Sequence, residues 1–317
     1  MSDRRCVVFA YSEVGVRCLK ALHSLGAEVE LVVTHADDPN EQRWYGSVAD
    51  TATELGIPVV MPESAGDPML LARLRSIAPA FIFSFYYRNM IGAQLLATAT
   101  RGALNMHGSL LPKFRGRAPV NWALVKGATQ TGATLHYMID KPDAGDIVGQ
   151  QAVPILGEDT AREVFDKVVV AAEIVLCRAW PELVTGTAPR IVQDLQTGSY
   201  YGRRRPEDGR IDPRSSAKEI HDLVRAVAPP YPGAYFEMEG GPLFVYRTRL
   251  QSQIGTPRDR ARLLRRAGAV LIECADGRDL LVLDGRVGGQ SIDAWMAEFD
   301  VSEYHERLVD ALPEETY

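Results

Sequence analysis

"CVVFAYSEVGVRCLKALHSLG", Cys6 to Gly26, decides the fold class. Cys6 to Ala10 is an unbroken apolar run, suited to a strand covered on both faces. Val14 to Leu25 repeats apolar residues at helical spacing and stops at Gly26. Val29 to Thr34 returns to the strand pattern, and a second helix over Ser47 to Leu55 stops at Gly56. Further strands follow at Pro58 to Met61, Phe81 to Phe85 and Ala103 to His107. Strand, helix, strand at this rhythm predicts parallel crossover units and a doubly wound sheet. A longer helix starts at Thr160, with Glu163 in capping-box spacing and Val164, Val168, Ala172 and Val175 on one face; it is expected to end near Pro181.

The texture then changes. Thr185 to Ile211, rich in Gly, Arg and Pro, reads as a linker between domains. Beyond it come one helix, Ala217 to Ala228, and β-rich runs at Ala234 to Met238, Leu243 to Thr248, Ala269 to Cys274 and Leu280 to Val287. Gly240-Gly241 and Asp276-Gly277 mark turns, so the second domain is expected to be a small antiparallel sheet or barrel.

Composition narrows the function. The chain has 317 residues, 46% hydrophobic and 24% charged, enough for a sizeable core. Its 35 basic against 41 acidic side chains leave a charge of -6, with no bulk pull toward nucleic acid or anionic membrane. An RNA partner would need a local patch such as Arg258 to Arg266, which is expected instead to be an exposed helix turn or loop. Cys6, Cys18, Cys177 and Cys274 form no CxxC pair and read as small buried hydrophobes in a reducing compartment. The start, MSDRRCVVFAYSEVG, is too short an apolar run for a signal peptide or a membrane span, and a cytoplasmic location is expected.

The loop Ala10 to Gly15 keeps the spacing of a GxGxxG turn, with Ala10 and Ser12 in place of its first two glycines. It fits either a plain tight turn or a helix start that receives a nucleotide other than a dinucleotide. Asn105 and His107 end the fifth parallel strand and, as alternate residues, point the same way. Asp143 stands in the later loop "DKPDAGD", Asp140 to Asp146, with Asp146 as its rival. Imidazole, with a reference pKa of about 6.5, takes up a proton near neutral pH. A carboxylate would orient it and an uncharged amide would steady an oxyanion, a combination suited to acyl transfer to an amine. There is no GxSxG for a covalent serine route and no HExxH; His35, Asp37 and Asp38 are a weak metal candidate, and no metal is expected. An NAD-dependent oxidoreductase is the reading from another class, but Thr34-His35 stands where a ribose-binding acid belongs. A non-enzymatic binding or scaffold protein would leave the Asn105, His107 and Asp143 grouping unexplained.

"NMHGSLLPKFRGRAPVNWAL" (Asn105 to Leu124), with "FSFYYRNMI" (Phe83 to Ile91) before it and "DAGDIV" (Asp143 to Val148) after it, resembles the 10-formyltetrahydrofolate-dependent formyltransferase family. The likeness runs from "VVFAYSEVG" through "YGRRRPEDG" (Tyr201 to Gly209) to "VRAVAPPYPGAY" (Val224 to Tyr235), nearly the whole chain. Within the family it most resembles the enzymes that formylate UDP-4-amino-4-deoxy-L-arabinose for lipid A modification of lipopolysaccharide and resistance to polymyxin antibiotics. The resemblance implies a Rossmann-like catalytic domain over 1–203, an OB-like domain over 204–305 and a tail over 306–317. It implies Asn105, His107 and Asp143 as the catalytic trio, and Phe85, Tyr86, Tyr87, Arg88, Ser109, Leu110 and Asp140 around 10-formyltetrahydrofolate. The resemblance implies Tyr11, Ser12 and Gly15 at the UDP-amino sugar. Arg117 in the basic loop Lys113 to Arg117, and Arg203 and Arg204 in the run Arg203 to Arg205, offer guanidinium forks to its diphosphate, or else read as solvated turns. No nucleic acid or membrane partner is implied. The arabinose enzymes continue into an NAD-dependent decarboxylase, so a decarboxylase partner on a separate chain or in a further domain is expected, and a homo-oligomer is compatible. Methionyl-tRNA formyltransferase and formyltransferases of other nucleotide-linked amino sugars are the alternatives; "YGRRRPEDGRID" departs from the lysine-bearing motif of the tRNA enzymes.

Overall fold

The computed structural model describes residues 3–36, 43–238, 241–266, 268–297 and 305–307. In chain order the elements are β1 (Arg5–Ala10), α1 (Ser12–Ser24), β2 (Glu28–Val33), α2 (Val48–Glu54), β3 (Val59–Val60), α3 (Pro68–Ile77), β4 (Phe81–Phe85), α4 (Ala93–Leu96) and β5 (Gly102–His107). Then follow β6 (Arg115–Gly116), α5 (Pro119–Val125), β7 (Gln130–Tyr137), β8 (Ile147–Pro154), α6 (Ala161–Thr185) and β9 (Tyr200–Tyr201). The remainder is α7 (Ala217–Val227), β10 (Ala234–Phe236), β11 (Leu243–Ile254), β12 (Arg262–Arg266), β13 (Ala269–Glu273), β14 (Arg278–Val287), β15 (Gln290–Ser291), α8 (Ile292–Ala297) and β16 (His305–Arg307).

The chain divides into two compact units that alternate along the sequence. Met1–Pro119, Gln130–Pro154 and Phe165–Gly202 form the first; Val120–Thr129, Ile155–Val164 and Arg203–Tyr317 form the second. No helix among the described residues is long and apolar enough to cross a membrane.

The first unit is built on a seven-stranded sheet of order β3-β2-β1-β4-β5-β7-β8. Its first five strands pair in parallel, the Rossmann-like part. Cys6 to Ala10 are fully buried, which is why β1 reads as a continuous apolar run rather than an alternation. β7 and β8, unassigned by periodicity, extend the sheet antiparallel to β5. Gly15 is where α1 crosses β1: a Cβ there would lie 3.1 Å from the Ala10 Cβ and 3.0 Å from Val48 Cγ2. Close helix and strand approach therefore explains this glycine, while Ser12 carries a left-handed φ of 64° itself.

The helix from Thr160 has its capping box: Thr160 N–H donates to Glu163 Oε2 at 2.6 Å and Glu163 N–H to Thr160 Oγ1 at 3.5 Å. It runs to Thr185, past the end expected near Pro181. Leu183 and Val184 are buried, and Arg101 donates to their carbonyls at 2.7 and 3.0 Å, so packing and a cationic C-terminal partner outweigh the proline.

The second unit is an antiparallel sheet of order β10-β11-β14-β13-β12-β16, with β15 on β14. Arg262 to Arg266 is a strand, not the exposed helix turn or loop expected of that basic run. Leu263 and Leu264 are buried, β12 pairs on both edges, and Arg258, Arg262 and Arg266 converge on the Glu273 carboxylate. Of the tail expected over 306–317, Glu306 and Arg307 belong to β16 and 308–317 lie outside the described residues, as does Gly240 of the Gly240-Gly241 turn. α7 starts in a second capping box: Glu219 N–H donates to Ser216 Oγ at 3.3 Å and Ser216 N–H to Glu219 Oε2 at 2.9 Å. Ser216→Ala is expected to cost about 1 kcal/mol, read as a lower urea midpoint with unchanged slope.

Candidate active site

The carboxyl end of β5 and the loop between β7 and β8 hold the trio singled out in the sequence. Asn105 and His107 are both on β5, and β5 pairs with β7 so that Asn105 stands opposite His136. The loop from β7 to β8 brings Asp143 to the same place, its Oδ1 lying 3.5 Å from His107 Nδ1 and 3.6 Å from His136 Nε2. Its Oδ2 accepts the Gly116 N–H at 2.8 Å. The structure thus gathers Asn105, His107 and Asp143, and it adds His136.

Each ring has its outer nitrogen on a main-chain carbonyl. His107 Nε2 lies 2.9 Å from the Phe114 oxygen, and His136 Nδ1 lies 2.8 Å from the Tyr137 oxygen. A carbonyl only accepts, so these nitrogens carry the protons. In its neutral form each ring then presents a bare nitrogen inward, Nδ1 of His107 and Nε2 of His136. The latter accepts the Asn105 Nδ2 hydrogen at 3.2 Å, which fixes the amide's orientation and leaves its second hydrogen to point elsewhere.

Burial pushes the His107 pKa down, and the Asp143 charge opposes that only in part. Burial alone would raise the Asp143 carboxyl, but the two rings, when they carry a proton on the inner nitrogen, and the Gly116 N–H hold it well below the ordinary carboxylate range. The result is an ionised carboxylate facing a His107 ring that burial keeps neutral, with a free lone pair on Nδ1, near neutral pH.

The supporting loops are strained where they meet the site. Ser12, Tyr86, Phe114, Ala118 and Asp143, five of the six described non-glycine residues with positive φ, follow β1, β4 and β5 or lie between β7 and β8. Such conformations cost on the order of 1–3 kcal/mol each and persist only where the surroundings impose them. Here Thr134 Oγ1 donates to the Ser109 carbonyl at 2.6 Å and accepts the Leu111 N–H at 3.1 Å, Ser109 Oγ donates to the Lys113 carbonyl, and Ser199 Oγ accepts the Phe114 N–H at 2.8 Å. A Cβ on Gly108 would lie 1.8 Å from the Tyr86 hydroxyl, so only glycine admits that ring.

A second cluster joins residues assigned to different ligands. The Arg88 guanidinium lies 4.3 Å over the Tyr11 ring, and Tyr45 Oη sits 3.2 Å from Arg88 and 3.3 Å from Tyr11 Oη. His35 stacks on Tyr87 at 4.2 Å and accepts the Arg88 N–H, and burial lowers its pKa. Its partners in the metal reading, Asp37 and Asp38, lie outside the described residues, and among the described residues no group of three or more His, Cys, Asp or Glu could hold a metal ion. Phe85 is fully enclosed and packs on Phe83 at 5.5 Å. Leu110 is half-buried, Asp140 and Arg117 are exposed. Arg203 and Arg204 belong to the second unit, where Arg204 lies over Trp122 at 4.8 Å. Asp146 is placed by its carbonyl, which accepts the Tyr137 N–H.

Sequence reasoning missed His136 and Gln193. His136 could have been found through β7, since Thr134 and His136 alternate on it toward the residues of β5. Gln193 lies 50 residues from the loop it touches and had no local signal.

Residues 4–180 match the formyl transferase family, more than half of the chain. The chain belongs to this family. Residues 204–296 of the formyl transferase match the family's C-terminal domain. The N-formyltransferase of Helicobacter canadensis, solved with folinic acid and dTDP-3-aminofucose, superposes with a TM-score of 0.70 at 18% identity, over 88% of this chain and 98% of that one. A sugar 3N-formyltransferase solved with dTDP and 5-N-formyl-THF gives 0.71 at 18% identity, over 92% and 98%. HypX from Aquifex aeolicus, in complex with tetrahydrofolic acid, gives 0.60 at 18% identity, over 91% of this chain and 45% of that one. At such identities the structures establish a shared fold.

The ring geometry of the formyl transferase predicts its titration. Nitrogen-15 NMR is expected to show His107 protonated on Nε2 alone at neutral pH, gaining its second proton below the reference value of about 6.5. Asp143→Asn removes the charge that holds the midpoint up, so the midpoint should fall further; a rise would contradict the described pairing.

Proposed function

We propose that this formyl transferase moves the formyl group of 10-formyltetrahydrofolate to the primary amine of a nucleotide-linked amino sugar. The convergence of the Asn105 amide, the His107 ring and the Asp143 carboxylate, in a chain of this family, carries the reading. The structural neighbours bound to dTDP-3-aminofucose or dTDP support the acceptor class. The motifs around Asn105, Phe83 and Tyr201 favour UDP-4-amino-4-deoxy-L-arabinose within it, and the dTDP-bound neighbours favour a dTDP-amino sugar as the second reading.

The donor set fits a formyl group. 10-Formyltetrahydrofolate supplies the carbon already activated on nitrogen. Once the amine has attacked, the bond from that carbon to N10 breaks, and N10 takes up the proton that His107 accepted from the amine, so tetrahydrofolate departs and His107 returns to its neutral form. Asn105 offers its free amide hydrogen to the formyl oxygen as negative charge develops there; being uncharged, it does not attract the proton that must leave the amine. His107 takes that proton on Nδ1, the nitrogen facing Asp143, so an imidazolium and carboxylate pair forms as the new C–N bond forms. Pairing that strengthens along the reaction lowers the barrier rather than the energy of the ground state. The residues require no nucleophilic side chain.

Purified protein incubated with 10-formyltetrahydrofolate and UDP-4-amino-4-deoxy-L-arabinose is expected to give a formyl mass increment on the sugar nucleotide. A dTDP-amino sugar and initiator methionyl-tRNA serve as parallel acceptors, and formylation of either one instead would replace the acceptor while keeping the mechanism. Asn105→Ala should lower kcat about a hundredfold or more, as loss of one oxyanion donor does. Near-normal turnover in that variant would remove Asn105 from the chemistry.

A further inference from the structure

The segment after α6 is more than a connection. Ile191 pairs with Ile147 through two backbone hydrogen bonds, 2.8 and 2.9 Å, and Gln193, next but one, turns its side chain under the loop of Asp143. Gln193 Nε2 donates to the Asp143 carbonyl at 3.2 Å and to the Gly145 carbonyl at 2.6 Å. The residue is only 8% exposed. Two carbonyl partners identify the nitrogen, and its Oε1 is left buried with no hydrogen-bond partner. A buried acceptor without a partner is unfavourable, so the amide's place here rests on the two hydrogen bonds its nitrogen donates, which an apolar side chain of the same length could not supply.

The loop it grips has little freedom to spare. Asp143 has a φ of 52°, and a Cβ on Gly145 would lie 2.0 Å from the Tyr137 carbonyl, so the turn is squeezed between β7 and Gln193. The left-handed region is sparsely populated even for aspartate, and a return to ordinary backbone would swing the carboxylate away from the two rings.

We propose that Gln193 is a positioning residue, holding the loop of Asp143 so that the carboxylate faces His107 and His136. This rests on the reaction proposed above. Gln193 touches neither reacting group, and it acts through Asp143. A misplacement of about 1 Å at a reacting group can cost on the order of a hundredfold in rate.

Gln193→Met keeps the length and removes both donors. It is expected to lower kcat about tenfold to a hundredfold while the KM of both substrates stays unchanged. In an Asp143→Asn background the same substitution should cost less than about twofold, because the group it positions is already gone. Equal losses in both backgrounds, or no loss of kcat, would overturn the assignment. The His107 titration by nitrogen-15 NMR needs no substrate: its midpoint should fall in Gln193→Met as in Asp143→Asn, and an unmoved midpoint counts against the proposal. Should Gln193→Met fail to fold, Gln193→Asn, an amide one methylene too short, is expected to show the same split and shift. Wild-type protein that formylates none of the acceptors would defeat the proposed reaction, while the titration still decides whether Gln193 places Asp143.

Discussion

One carboxylate oxygen, shared by two imidazoles whose outer nitrogens are tied to main-chain carbonyls, is the arrangement on which the rest of the site depends. The carbonyls of Phe114 and Tyr137 choose the tautomers, the tautomers present bare nitrogens to Asp143 and Asn105, and the amide orientation follows. Each of these contacts is ordinary by itself. Their order matters, because a change in any backbone position propagates to the protonation of a ring and from there to the amide.

Such an arrangement needs a frame that does not give. The parallel strands of the first unit supply it: β1 and β4 are enclosed on both faces, and close-packed interiors pass displacement on rather than absorb it. The strain sits outside the strands, in Ser12, Tyr86, Phe114, Ala118 and Asp143. A stiff sheet with deformed loops at its carboxyl edge places chemistry where parallel α/β folds place it. Short polar contacts from Thr134, Ser199 and Gln193 hold those loops in their unfavourable shapes.

The strands that carry the site were legible because their residues must be apolar on both faces: Cys6 to Ala10 and Phe81 to Phe85 admit no polar side chain but Ser84. Asn105 and His107 stood out for the same reason, as polar residues at the end of such a run. β7 was not legible; its Thr131, Thr134 and His136 are buried polar groups satisfied by distant partners or left unsatisfied, a pattern no periodicity reports. The Arg262 to Arg266 strand was obscured by arginines whose charge is met by Glu273 in the neighbouring strand. Gln193 was hidden by its setting, since a glycine- and arginine-rich stretch reads as a spacer whatever its side chains grip.

Phe114 contributes its carbonyl to His107, and Tyr137 does the same for His136. No point substitution can delete a main-chain oxygen. What these two positions supply to the site is therefore set by backbone torsion, while their side chains serve other contacts, Phe114 on Tyr201 at 5.8 Å and Tyr137 under Arg190 at 3.8 Å. Part of the machinery of this site is thereby written in backbone conformation rather than in side-chain chemistry.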